Sequence, residues 1–281
     1  MTAPSTIIHV PHASAAIPEA ILPTLCLAGD ELQHELLIMT DWHTDTLFAL
    51  PNDAATTVLF PVSRLVVDPE RFVDNSSEPM ASKGMGVIYT RTSDGRALRL
   101  DISGEERDRL LDTYYYPHQR RVQDAVADAL AMHEKCLLID AHSFSAKPLP
   151  HEPDQSPTRC HVCIGTDDFH TPPRLVGLLK TGFERRGFVV AVNQPFSGTF
   201  VPTCFYRENR QVSSVMIEVN RSLYMDEVTG QQHAGFDEFR SQLRQVLLEV
   251  VTEYRRRLAG GTKSGGVGDT MAERPSFPEL W

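Results

Sequence analysis

The sequence predicts a three-layer α/β fold in which a mostly parallel central sheet carries helices on both faces. Three observations predict it. Short apolar runs of strand length recur along the chain, stretches of helical periodicity separate them, and polar residues capable of chemistry collect just where the runs end. In such sheets each strand releases a loop into a common crevice at its carboxyl end, so that is where working residues are expected.

The elements follow in order. Residues 6–10, TIIHV, form a first buried strand that stops at Pro11-His12. Residues 30–50 carry Leu32, Leu36, Leu37, Leu47 and Phe48 at helical spacing, interrupted by the polar cluster TDWHTD. The stretch TTVLFPVSRLVVD predicts one or two strands. DISGEERDRLLDTYYYPHQRRVQDAVADALAMH predicts a long helix opened by Ser103, with Glu106 three residues on as a capping box. KCLLIDAH and RCHVCIGT predict strands. PPRLVGLLKTGFERRG is a helix begun by proline and stopped by Gly187. FVVAVNQP and SSVMIEVNRSLY are further strands, the latter central, and residues 235–258 form an amphipathic helix. Residues 1–259 are thus expected to form a single domain, with the Gly- and Pro-rich residues 260–281 as a flexible or loosely docked tail.

Composition narrows the function. The 281 residues include 27 basic and 37 acidic ones, a net charge of −10, and 41% are hydrophobic. The acidic balance argues against a nucleic-acid partner, and no apolar run approaches the length of a membrane span. An odd set of five cysteines and an N-terminus without signal-peptide character predict a reducing, cytoplasmic setting. Cys160 and Cys163 form a CxxC with no second ligand pair to complete a structural zinc site, and their alternating neighbourhood predicts buried thiols. An oligomer is compatible with all of this.

Four stretches carry metal-competent groups: HVPHAS, TDWHTDTLF, LLIDAHSFS and MIEVNRS. Imidazole and carboxylate suit zinc, and a catalytic zinc keeps three protein ligands and an open position. His12 and His142 are the evident imidazoles, with Asp41, His43 or Asp45 as the third ligand. The alternative is that each histidine, near a strand end, is only a helix cap or a satisfied polar residue. Asp140, two residues before His142 on the same strand face, would orient a ligand. Glu218 interrupts an apolar strand, and a buried carboxylate needs either a partner such as Arg221 or a task such as general base. Arg64 and Arg71 flank SRLVVDPERF and could grip a carboxylate, although Arg64 pairing with Asp68 is the plainer reading.

Together, IIHVPHASAAIP, TDWHTDTLF, SRLVVDPERF, YYPHQRRV, LLIDAHSFS, NQPFSGTFVP and IEVNRSLYMDE resemble, in order from about residue 6 to 250, the N-formylglutamate amidohydrolase family. The resemblance implies a phosphorylase/hydrolase-like fold related to the zinc carboxypeptidases and aspartoacylase. It implies hydrolysis of N-formyl-L-glutamate to formate and glutamate, in histidine degradation, with Zn2+ or another divalent metal. His12, Asp41 and His142 then look like the ligands, with His43 and Asp45 close to the same place. Glu218 looks like the general base and Arg64 like the group that polarises the carbonyl. Arg71, Arg221, Asn193, Ser197 and Gly198 look like contacts to a small N-acyl amino acid bearing carboxylates. The sequence departs from the HxxE pairing of the carboxypeptidases, since the third residue after His12 is Ala15. Two rivals are a zinc deacylase or peptidase acting on another N-acyl substrate and a non-catalytic binding protein. A serine hydrolase built on Ser143 is disfavoured, because neighbours on a strand face opposite ways and no G-x-S-x-G surrounds it.

Overall fold

A computed structural model describes residues 4–260. Six strands form one sheet: β1 (Thr6–Val10), β2 (Thr56–Leu59), β3 (Cys136–Phe144), β4 (Val162–Gly165), β5 (Val190–Val192) and β6 (Val212–Asn220), in the order β2-β1-β3-β6-β4-β5. The first four strands in that order run parallel. β4 turns antiparallel to β6, and β5 follows β4 in parallel. The mostly parallel sheet expected from the sequence is therefore the one observed. The helices are α1 (Gly29–Met39), α2 (Thr44–Leu47), α3 (Gly104–Leu110), α4 (Tyr116–His133), α5 (Pro173–Glu184) and α6 (Phe236–Gly260). Among the described residues no helix is long and apolar enough to cross a membrane. The expected tail lies outside the described residues from residue 261 onward, while Gly260 closes α6.

Strand parity divides the core into two layers, because successive side chains point to opposite faces. Ile8, Val10, Leu137, Ile139, Ala141, Val215, Ile217 and Val219 pack on one face against Leu175, Leu179 and Phe183 of α5 and Leu243, Val246 and Leu247 of α6. On the other face Ile7, Val58 and Leu138 meet Val122, Val126 and Ala129 of α4. This second face turns polar towards the carboxyl ends of its strands, where His9, Asp140, His142 and Glu218 occupy the alternate positions.

Two local features bear on the site. Ser103 Oγ accepts from Glu106 N at 3.1 Å, so the expected cap opens the long helix. The helix is not uniform: a π turn at Leu111–Tyr115 separates α3 from α4. Pro117 lies two residues past its end; it has no N–H for the carbonyl four residues back and its ring crowds that carbonyl, which a wider turn relieves. The second departure is SRLVVD, which is not a strand. Ser63 bends it: its carbonyl accepts from Val66 N at 2.9 Å and its hydroxyl from Leu65 N at 3.2 Å. Leu65 then enters one small core with Met85 and Tyr89, and Val66 and Val67 enter another with Phe60 and Leu110. Turning apolar side chains into two cores suits a turn, whereas the consecutive apolar run alone reads as a strand.

Gly165 ends β4 where a Cβ would run into the carbonyl oxygen of Gly198 and the methyl of Met216. Replacing it with alanine must push the Gly198 loop away, so Gly165→Ala is expected to lower stability by about 1–3 kcal/mol. Urea denaturation checks this; an unchanged midpoint would show that the loop is not packed against β4.

Candidate active site

The register of the parallel strands assembles the centre. His9 lies opposite Asp140 in the β1–β3 pair, and His142 lies opposite Glu218 in the β3–β6 pair, so all four project from one face. His12 follows two residues after β1. Its carbonyl accepts from Asp41 N at 2.9 Å, which fixes the loop after α1 beside it. The turn after β2 supplies Arg64, Asp68, Glu70 and Arg71, with Glu70 N donating to Asp68 Oδ1 at 3.0 Å.

The two imidazoles stand 5.1 Å apart between centroids, and carboxylates lie on both of their edges. On the Nδ1 edge, Asp41 Oδ2 is 3.2 Å from His142 Nδ1 and 3.8 Å from His12 Nδ1. The other oxygen of Asp41 accepts from Arg221 Nη2 at 3.0 Å. On the Nε2 edge, His12 Nε2 bonds to Asp68 Oδ1 at 2.9 Å, while His142 Nε2 faces both Asp140 Oδ1 and Glu70 Oε2 at 3.2 Å. Asp68 Oδ2 gathers the hydroxyl of Tyr89 at 2.6 Å, Arg64 Nη2 at 2.8 Å and Arg71 Nε at 3.6 Å. Asp140 Oδ1 also meets His9 Nδ1 at 3.0 Å, and His9 Nε2 meets His118 Nε2 of α4 at 2.9 Å.

Charge is the dominant feature of the pocket. Asp41, Asp68, Glu70, Asp140 and Glu218 face Arg64, Arg71 and Arg221, so five carboxylates less three guanidinium groups leave −2 with the histidines neutral. Burial drags the pKa of His142 down, but Glu70, Asp140 and Asp41 overcome it and the net shift is strongly upward. His12 is raised for the same kind of reason: burial and Arg64 oppose, Asp68 and Asp41 prevail. Burial pushes Glu218 up to about 8, with Asp41 and Glu70 adding to it against His142 and Arg221. Asp41 and Asp68 are held low despite burial, Asp41 by its two histidines and Arg221, Asp68 by Arg64, His12 and Arg71.

This donor set suits a divalent cation. Among the described residues, two groups have ligand atoms that all lie within 4.8 Å of one another: His12, Glu70 and His142, and His9, Glu70 and Asp140. His12 Nδ1, His142 Nε2, Glu70 Oε1 and Glu218 Oε2 are buried without a hydrogen-bond partner, as groups kept for a ligand would be.

Of the residues singled out in the sequence, His12, Asp41, Arg64, Arg71, Asp140, His142, Glu218 and Arg221 gather here. Arg64 makes the pairing with Asp68 that the sequence offered as the plainer reading, and does so inside the site. Arg221 is buried and directs Nε to Ser143 Oγ at 3.1 Å and Nη1 to the Ile38 carbonyl at 2.6 Å, besides Asp41. The remaining residues make other contacts. The left-handed backbone of His43 (φ 66°) turns its ring to the Gly230 carbonyl, and exposed Asp45 caps Thr46 N at 2.8 Å. Asn193 closes the β4–β5 connection on Thr166, and Ser197 is exposed. Gly198, with φ 91°, carries the carbonyl packed beside Gly165. Cys163 is buried and Cys160 half-buried, both as free thiols. Sequence reasoning missed Glu70, His9 and His118 as members of the site. The available signal for Glu70 was a second carboxylate two residues after Asp68 across a proline.

A sequence model described as N-formylglutamate amidohydrolase matches residues 5–225. An N-formylglutamate deformylase of Pseudomonas putida is 26% identical over 228 residues, spanning 79% of this chain and 82% of the relative. The crystal structure of N-formylglutamate amidohydrolase from Ralstonia eutropha JMP134 superposes with a TM-score of 0.79 at 21% identity, covering 92% of this chain and 96% of that one. A gene product of Agrobacterium tumefaciens gives 0.63, also at 21% identity, with 90% and 92% covered. With the match spanning most of its length, this chain belongs to the N-formylglutamate amidohydrolase family.

Proposed function

We propose that the protein hydrolyses the formamide bond of N-formyl-L-glutamate to formate and L-glutamate, with a divalent cation, zinc first, held by His12, Asp41 and His142. One observation carries the metal assignment: Asp41 Oδ2 lies 3.2 and 3.8 Å from the Nδ1 atoms of the two histidines. Ligands about 2.0 Å from a tetrahedral zinc stand about 3.3 Å apart, so the His142 contact already has the spacing of a shared ion and the His12 contact is about half an ångström wider. The bond from His12 Nε2 to Asp68 supports the same edge, since it leaves Nδ1 as the free nitrogen. When bound, such a cation acidifies water at its open position and polarises a carbonyl oxygen.

The protein's own residues supply the rest. Glu218, buried and with Oε2 unpartnered, takes the proton of the attacking water as oxygen adds to the formyl carbon. The same carboxyl then returns the proton to the amide nitrogen as the C–N bond breaks, so glutamate leaves as the amine and formate remains. Arg64 spends Nε and Nη2 on Asp68, leaving Nη1 to offer the developing oxyanion. Arg71, more exposed, orients a substrate carboxylate. Arg221 acts through Asp41, which it holds in place.

Four outcomes test the reading. Formate release from N-formyl-L-glutamate should vanish on chelation and return with Zn2+; release from other N-acyl amino acids in its place would move the substrate and keep the chemistry. Glu218→Gln should keep its metal yet lose about 10²–10⁴-fold in kcat, whereas His142→Ala should lose the metal itself, as elemental analysis would show. Because Glu218 works ionised and a nearby cation favours that form, activity should fall with decreasing pH through a limb below about 8, and that limb should be absent in Glu218→Gln. Arg221→Met should cost about 3–5 kcal/mol of stability by leaving Asp41 buried without its guanidinium partner; an unchanged denaturation midpoint would remove this role.

A further inference from the structure

Glu70 has no task in the mechanism above, yet it lies at the middle of the site. Its Oε2 is 3.2 Å from His142 Nε2 and 3.7 Å from His12 Nε2; its Oε1 is 3.6 Å from His9 Nδ1 and is buried with no hydrogen-bond donor. His9 is 0% and Asp140 2% exposed, and their facing atoms are 3.0 Å apart. We propose that Glu70, Asp140 and His9 form a second divalent-cation site beside the one assigned to His12, Asp41 and His142, making the centre binuclear.

Donor chemistry is the first argument. One imidazole nitrogen and two carboxylate oxygens are a nitrogen and oxygen set suited to zinc or manganese, and all three atoms lie within 4.8 Å of one another. The separations of 3.0 and 3.6 Å bracket the spacing of about 3.3 Å expected around zinc.

Outer contacts are the second argument. His118 Nε2 fixes the far nitrogen of His9 at 2.9 Å, and Phe200 N donates to the far oxygen of Asp140 at 3.0 Å, so each inner atom is aimed inward. His142 Nε2, on a residue only 5% exposed, points at both Glu70 and Asp140 with no hydrogen bond of its own. It ties the two sites through one imidazole.

Charge is the third, and it rests on the substrate proposed above. The pocket's −2 combined with the two carboxylates of N-formylglutamate gives −4 in a buried space. One dication leaves half of that uncompensated, and two balance it.

The test strips the full-length chain with a chelator, titrates it with Zn2+ alone and measures bound metal after desalting. Two equivalents are expected in the parent, and one in His9→Asn and in Glu70→Gln, with far-UV circular dichroism confirming that both variants fold. Manganese loading should give an exchange-coupled electron paramagnetic resonance signal in the parent and an isolated-ion signal in His9→Asn. One equivalent in the parent, with formate still released, would overturn the second site alone. No bound metal would overturn both assignments, and two equivalents retained in both variants would place the second ion elsewhere and sink this proposal.

Discussion

Five carboxylates share one buried end of the sheet, and the surrounding architecture serves to make that charge tolerable. A buried charge costs several kcal/mol unless it is paired and its lone pairs are used. Asp68 draws on Tyr89, Arg64, Arg71 and His12, and Asp41 on Arg221 and the Ser143 amide at 3.3 Å. Asp140 takes His9 and the Phe200 amide. Glu70 and Glu218 are the two left with a buried, unpartnered oxygen. Asp68 thus has the fullest set of partners, while Glu70 and Glu218 each keep one buried oxygen that nothing donates to.

The long helix belongs to the same economy of contacts. The π turn before Pro117 places Tyr115, whose hydroxyl donates to the Arg71 carbonyl at 3.1 Å, and the next turn places His118 against His9. A regular helix through this segment would turn α4, which carries His118, relative to α3, so the irregularity bears on the site as well as on the core. His118 is pushed down to about 2 by burial, with His9 adding to it, so it meets His9 as a neutral ring.

Legibility in the sequence followed the range of the interaction. Strand ends were readable because a parallel sheet opens its crevice at one end, and His12, Asp140, His142 and Glu218 all lie near such ends. The loop after β2 was not, because the apolar run in SRLVVD reads as a strand core while Ser63 turns it, and that turn brings Glu70 to the histidines. Asp41, His43 and Asp45 could not be separated by spacing. The left-handed backbone at His43 separates them in space, sending its ring towards Gly230 while Asp41 stays beside His12 and His142. The sequence offered Arg221 as a partner for Glu218 or as a contact to a substrate carboxylate, and the fold instead supplies Asp41, Ser143 and Ile38 to occupy it.

Protons and a cation compete for the same charge in this pocket. The acidic surroundings raise His12 and His142, and burial together with neighbouring Asp41 and Glu70 raises Glu218, so protons compensate the anions in the absence of metal. A cation entering between the histidines and Asp41 would expel the histidine protons and draw Glu218 towards its ionised form. In the proposed mechanism, loading the centre and ionising Glu218 would then be one electrostatic event. The cause lies in the β3–β6 register, which sets Glu218 beside His142 and gives both residues the same field.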